Sequence, residues 1–230
     1  MNYTTSKGQP ANVDIIFESV RKRILKLELE PGQKISENII SEEYGVSRSV
    51  IRSVFSRLQQ SRLLDIYPQR GTYVTMIDLN YIADLLLLRT AVEKEILSEI
   101  FDELHGEDLQ ELIKKLEENL NEQEKLRDLP FYGSEFKKLD SQFHYTMINS
   151  VGRHGIVELL TAYMVHIARW RNFDVAFDHR IPMLIEEHRR IVAAIKSGSL
   201  REAHKAMAAH LETISGINER AKAQYPQYFI

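Results

Sequence analysis

The sequence predicts a mainly α-helical protein in two parts. A winged helix-turn-helix with a small β-hairpin wing is followed by an all-α antiparallel bundle of about six helices. Three observations predict it. Residues 13–62 hold three short amphipathic patterns separated by turn signals. Two β-prone pieces, 65–67 and 72–75, flank the turn Pro68-Gln69-Arg70-Gly71. From Tyr81 onward strand signals vanish and apolar residues recur at three- and four-residue spacing.

Composition narrows the class. The chain has 230 residues, of which 43% are hydrophobic and 27% charged, enough for a real core in one large domain or two small ones. It has no cysteine, which excludes disulfides, thiolate metal sites and cysteine nucleophiles and fits a cytoplasmic protein. No apolar run is long enough to span a membrane, and the polar N-terminus lacks the apolar core of a signal peptide. The net charge is −3, yet between Val46 and Val74 Arg48, Arg52, Arg57, Arg62 and Arg70 face the single acid Asp65. A basic patch on a mildly acidic chain is the footprint of a nucleic-acid-binding domain.

Taken in order, residues 1–10 read as a flexible tail. Val13–Leu27 reads as a helix carrying Ile16, Val20, Ile24 and Leu27 on one side, stopped by Glu30-Pro31-Gly32. Ser36 opens a second helix with Ile39, Ile40 and Tyr44 as its apolar positions, and Gly45 ends it. Ser47, a plausible N-cap, opens the third after a very short turn. There Val50, Val54, Phe55 and Leu58 share a face, while Arg48, Ser49 and Arg52 stand at the N-terminal end, away from most of that stripe. A helix that buries one side and offers arginine and serine at its N-terminus suits a DNA major groove. Taken alone it also fits an ordinary solvated basic face; its neighbours favour the first reading. The wing follows, with Arg70 and Gly71 at its tip.

Met76–Asn80 reads as a joint, which places a DNA-binding domain at 11–77 and a helical domain at 78–225. In the second part Tyr81–Leu104, Leu109–Leu126, Phe131–Val151, Ile156–Phe173, Ile181–Ser197 and Leu200–Lys222 are predicted helices. Breaks at His105-Gly106, Leu129-Pro130, 152–155, 174–180 and Gly198 separate them.

A second constellation lies in this part. Asp140 and His144 are four apart and share a helix face. His188 and His210 each sit among apolar positions at helical spacing. One carboxylate and three imidazoles from three helices can hold a divalent metal through oxygen and nitrogen. Each histidine read singly is as well explained as a buried, hydrogen-bonded side chain. Arg89, amid leucines on a core helix, needs an anion, and either a ligand carboxylate or Glu93 four residues on would serve. Arg169 and Arg171, beside Trp170, are further candidates for the same pocket.

Both parts together resemble the GntR family of bacterial transcription regulators, in its FadR-like branch with an FCD-type effector domain. The resemblance spans about residues 13–222 and rests on the order and spacing of ILKLELEPGQKISE, YGVSRSVIRSVFSRLQQSRLL and PQRGTYV, then LRTAVE, DSQFH, EHRRIVAAI and AAHL. It implies DNA contacts from Ser47, Arg48, Ser49, Arg52 and the wing glycine Gly71. A further family contact, often arginine, falls on Asn38 here, and asparagine and arginine prefer different base edges. The resemblance implies that Asp140, His144, His188 and His210 are metal ligands and that Arg89 can face the effector. Gly152-Arg153 stands where the family often has Gly-Asn.

The expected function is that of a ligand-responsive transcriptional regulator, a repressor. It would be a homodimer on a two-fold symmetric operator in double-stranded DNA, binding a divalent metal and a small organic acid. Zinc is the first choice of metal, with nickel, manganese and iron as alternatives. The sequence also admits two other readings: a metal-dependent hydrolase or isomerase using the Asp/His set, and a regulator whose metal is purely structural.

Overall fold

The computed structural model describes residues 13–129, 133–173, 180–212 and 222–230, without the side chains of 171–173. The chain divides into two compact units, one formed by 1–78 with 225–230 and the other by 79–224.

In the first unit α1 (Val13–Leu25) buries Ile16, Phe17, Val20 and Ile24. It ends two residues earlier than its apolar pattern because Leu27 takes φ 61 and turns the chain back. Helix α2 (Glu37–Tyr44) is capped by the Ser36 hydroxyl, which accepts from the Asn38 amide, and ends at Gly45 with φ 65. Ile40 is its buried apolar residue, and Ile39, expected inside, is exposed. Helix α3 (Arg48–Gln60) buries Ile51, Val54, Phe55 and Leu58. Ile51 takes the place expected of Val50, which is only half-buried, because the packed stripe runs through 51, 54, 55 and 58. Ser47 occupies the N-cap position without a side-chain cap bond; its hydroxyl pairs with that of Ser49 at 2.8 Å.

The wing is the antiparallel pair β2 (Leu64–Tyr67) and β3 (Gly71–Val74). Pro68 supplies a fixed φ at its tip and Gln69 takes φ 61, closed by the Arg70 amide on the Tyr67 carbonyl at 3.1 Å. Gly71 has φ 119, a torsion that favours glycine; the nearest atom to a β-carbon there would be Cε of the flexible Lys34 side chain, which can move aside. A third strand, not expected from the sequence, is β1 (Lys34–Ile35), which pairs with β3 to give the order β1-β3-β2. At two residues it is too short to show alternation.

The last residues also belong to this unit. After a 3-10 turn at Pro226–Tyr228, Phe229 pairs in parallel with Ile77, and both side chains are buried. The Ile77 amide donates to the Tyr228 carbonyl at 2.9 Å and the Ile230 amide to the Ile77 carbonyl at 3.1 Å.

The second unit holds α4 (Leu79–Glu103), α5 (Gly106–Glu124), α6 (Ser134–Ser150), α7 (His154–Phe173), α8 (Arg180–Lys196) and α9 (Leu200–Glu212). The predicted start of α6 at Phe131, the continuation of α9 from 213 to 221 and the segment 174–179 lie outside the described residues. One apolar core joins Leu97, Ile100, Leu116, Phe136, Phe143, Ile185, Ile191, Met207 and Leu211 from five of these helices.

Removing residues 225–230 should speed hydrogen exchange at the Ile77 amide, whose acceptor is lost. Phe229→Ala should lower the stability of the N-terminal unit by about 2 kcal/mol, the worth of one buried aromatic side chain. Unchanged exchange at Ile77 after truncation would show that the tail is not held as described.

Candidate metal centre and candidate nucleic-acid interface

Helix α6 carries Asp140 and His144 one turn apart, α8 carries His188 and α9 carries His210. All four are buried, and one ligand atom from each lies within 4.8 Å of the others. The Phe143 ring stacks on His188 with centroids 4.2 Å apart, which holds that imidazole in plane.

The partners of the rings decide which nitrogens face inward. His144 Nδ1 donates to Glu93 Oε2 at 2.5 Å and His210 Nδ1 to Glu187 Oε2 at 2.9 Å. His188 Nδ1 lies 2.9 Å from Gln123 Oε1. Gln123 in turn donates through its amide nitrogen to Asn119 Oδ1, and Asn119 donates to the Leu139 carbonyl. That chain orients both amides, so an oxygen faces His188 and its Nδ1 must be the donor. A neutral ring with its proton on Nδ1 presents a lone pair at Nε2. The inward atoms are consistent with this: His144 Nε2 and His210 Nε2 lie 3.2 Å apart, and His188 Nε2 lies 3.7 Å from Asp140 Oδ1. His188 Nε2 has no hydrogen-bond partner among the described residues. Three lone pairs and a carboxylate oxygen facing one another are a donor set for a divalent cation, with its outer acceptors already in place.

Charge follows the same layout. Burial pushes the Glu93 carboxyl up, but Arg89, and then His144, more than offset it and hold the group at about 2. Arg89 Nε donates to Glu93 Oε1 at 2.5 Å, both side chains are buried, and Arg89 Nη1 has no hydrogen-bond partner among the described residues. The Glu93 partner weighed for Arg89 is therefore present, and a donor remains. Burial pushes the His188 imidazole well below its ordinary 6.5, and the neighbouring His210 adds to this. Arg169 is buried, and desolvation lowers it to about 10. The Arg171 side chain lies outside the described residues.

Three partners of the rings, Glu93, Gln123 and Glu187, were not singled out from sequence as supports of this set. The signal existed for two of them: Gln123 continues the α5 stripe of Leu112, Leu116 and Leu120, and Glu93 continues the α4 stripe of Leu86 and Arg89. A polar residue on an apolar face needs an inward partner. Glu187 is buried beside His188 in sequence, yet it serves His210 on the next helix.

In the first unit Ser47, Arg48, Ser49 and Arg52 are exposed around the N-terminal half of α3, and Asn38 is exposed on α2. Arg70 is exposed at the wing tip beside Gly71. Arg57 is engaged elsewhere: it pairs with Asp14 at 2.6 Å and lies 4.3 Å from the centre of the Phe17 ring.

The family of bacterial regulatory proteins called gntR matches residues 12–74, and the FCD domain matches residues 84–213. The chain belongs to the GntR family. This GntR regulator is 31% identical over 214 residues to an HTH-type transcriptional regulator in an unstable DNA locus of Streptomyces ambofaciens, covering 93% of this chain and 88% of that protein. It is 26% identical over 223 residues to the HTH-type transcriptional repressor RspR of Escherichia coli, covering 96% and 94%. Among solved structures it shares its fold with E. coli McbR/YncC, with a TM-score of 0.65 at 17% identity over 94% of this chain and 100% of that one. These families and relatives are transcriptional regulators, so the hydrolase or isomerase reading is set aside. No helix among the described residues is long and apolar enough to cross a membrane.

The His188 shift has a sign. Its folded value is depressed, so below about 6.5 the unfolded chain takes up a proton that the folded chain does not. In metal-free protein the urea midpoint should fall as pH drops through that range, and His188→Gln should flatten the fall. A midpoint that rises on acidification over this range would contradict a neutral, buried His188.

Proposed function

We propose that the chain is a ligand-responsive repressor of the FadR-like branch whose helical domain binds a divalent metal through Asp140, His144, His188 and His210. The observation that carries this reading is the set of three imidazoles whose Nδ1 atoms are all occupied, leaving three Nε2 atoms and one carboxylate oxygen facing inward. Zinc suits an Asp/His set of this kind, and nickel, manganese and iron share its chemistry. The bound metal supplies a Lewis-acidic centre for an anionic ligand.

A small organic acid is the effector class that fits. Arg89 is buried, already spends one edge on Glu93, and keeps Nη1 for another acceptor. Arg171 is retained as a second candidate contact. The purely structural metal is the competing reading, supported by the burial of all four ligand residues. The free donor on Arg89 favours the effector.

The reading head uses Ser47, Arg48, Ser49 and Arg52 in the major groove, with Asn38 beside them and Arg70 and Gly71 on the wing. The exposure of Ser47 at the N-cap and of Arg48, Ser49 and Arg52 on α3 supports this assignment. Two such heads on a two-fold operator require a homodimer. Helices α4 and α7 pack together and leave Leu87, Leu88, Leu159 and Tyr163 exposed, which supports pairing of two chains through these helices. The locus of action is the cytoplasm, where the DNA is.

A pair of variants tests both ends at once. His188→Ala should cut bound metal per chain severalfold by elemental analysis while the N-terminal unit stays folded. Arg48→Ala should leave metal content intact and weaken binding to a selected DNA duplex by roughly tenfold or more. Full metal occupancy in the first variant, or unchanged affinity in the second, would refute the corresponding assignment.

A further inference from the structure

Arg52 of α3 is held by a carboxylate from the neighbouring helix, with Arg48 nearby. Arg52 donates from Nε and Nη2 to the two oxygens of Glu37, at 3.2 and 3.1 Å. Arg48 Nη2 lies 4.0 Å from Glu37 Oε2. Glu37 stands in the first turn of α2, directly after its cap Ser36, where the helix dipole favours a negative charge. Its side chain is 25% exposed, against 63% for Arg48 and 67% for Arg52. The carboxylate is thus the inner member of the group and the guanidinium groups the outer ones.

An ion pair this exposed adds little to stability. Its geometry matters more. A guanidinium carries five N–H donors in one rigid plane. Glu37 takes the edge made by Nε and one N–H of Nη2. The edge made by Nη1 and the second N–H of Nη2 is left, and a two-pronged donor edge is what guanine O6 and N7 accept. An arginine without this clamp turns about its side-chain torsions and meets a phosphate as readily as a base. With the clamp, its outer edge points one way. The carboxylate also subtracts from the positive field that attracts phosphates regardless of sequence.

We propose that Glu37 is a specificity-determining positioning residue, which aims the outer edge of Arg52 at a guanine and suppresses sequence-independent binding to DNA. This rests on the assignment of α3 as the recognition helix. Glu37 then contributes by orientation and by charge, without itself touching a base.

The test uses the full chain as wild type, Glu37→Gln, Arg52→Ala and the double variant. Each is selected on a random-sequence duplex library, then titrated against the wild-type-selected duplex and a shuffled duplex of equal composition over a salt series. For Glu37→Gln, shuffled-duplex affinity should rise about threefold and its salt dependence should steepen by about one unit of log-log slope. The ratio of selected to shuffled affinity should fall roughly tenfold, on the scale of one base pair of discrimination. Guanine preference should be lost at one position per half-site. In the Arg52→Ala background, Glu37→Gln should change no base preference. If Glu37→Gln keeps the wild-type preference and affinity ratio while Arg52→Ala still weakens binding, the role of Glu37 is overturned and the recognition helix stands. An equal loss on both duplexes would also overturn it, since that marks a merely structural residue. If Arg52→Ala binds the selected duplex like wild type, the recognition-helix assignment fails and the proposal with it.

Discussion

Three imidazoles buried side by side must each place a proton on a nitrogen that has an acceptor, and that constraint organises the helical unit. The acceptors come from Glu93 on α4, Gln123 on α5 and Glu187 on α8, while the rings stand on α6, α8 and α9. Five helices are therefore held in register by a few directional bonds inside an otherwise apolar core. A slip of one residue on any of them turns the partner away by about 100° and leaves a buried polar group without a bond, a cost of several kcal/mol in an apolar setting. Apolar packing alone would tolerate such a slip far better.

The same constraint creates the inward face. Once every Nδ1 is a donor, the Nε2 lone pairs of His144 and His210 confront each other at 3.2 Å with Asp140 close by. Lone pairs so placed repel unless a proton or a cation lies between them. A cation held between them would relieve that repulsion and would bear on all five helices that carry the rings and their partners. Arg89 extends the link outward, since the carboxylate that orients His144 is also its ion-pair partner. The chain passes from one unit to the other at 78–79 and again at 224–225, and Tyr228, Phe229 and Ile230 pair around Ile77.

Much of this was legible in the sequence. The helices and the wing follow from periodicity and turn chemistry, because those signals are local; for the four clustered residues spacing leaves two readings open, and the family resemblance favours a common set. The misses were of other kinds. Ile39 reads as core by composition yet faces out, because Ile40 beside it takes the buried position. A helix alone does not say which of two adjacent isoleucines the tertiary packing will choose. The strand at Lys34–Ile35 and the tail at Phe229 are held by residues distant in sequence, so no local pattern marks them. Glu187 is adjacent to His188 in sequence, but its partner is His210 on another helix, which no local spacing marks. Glu37 and Arg52 are fifteen residues apart on different helices, so no local pattern pairs them.

Glu93, Gln123 and Glu187 set the ring tautomers without help from a cation. Nitrogen-15 NMR of the imidazole rings in metal-free protein above neutral pH tests it most directly. The expected result is the Nδ1–H tautomer for His144, His188 and His210 together, with unprotonated Nε2 atoms. Nε2–H on any two of the three rings would contradict it, since the inward face would then be a set of donors that repels a cation.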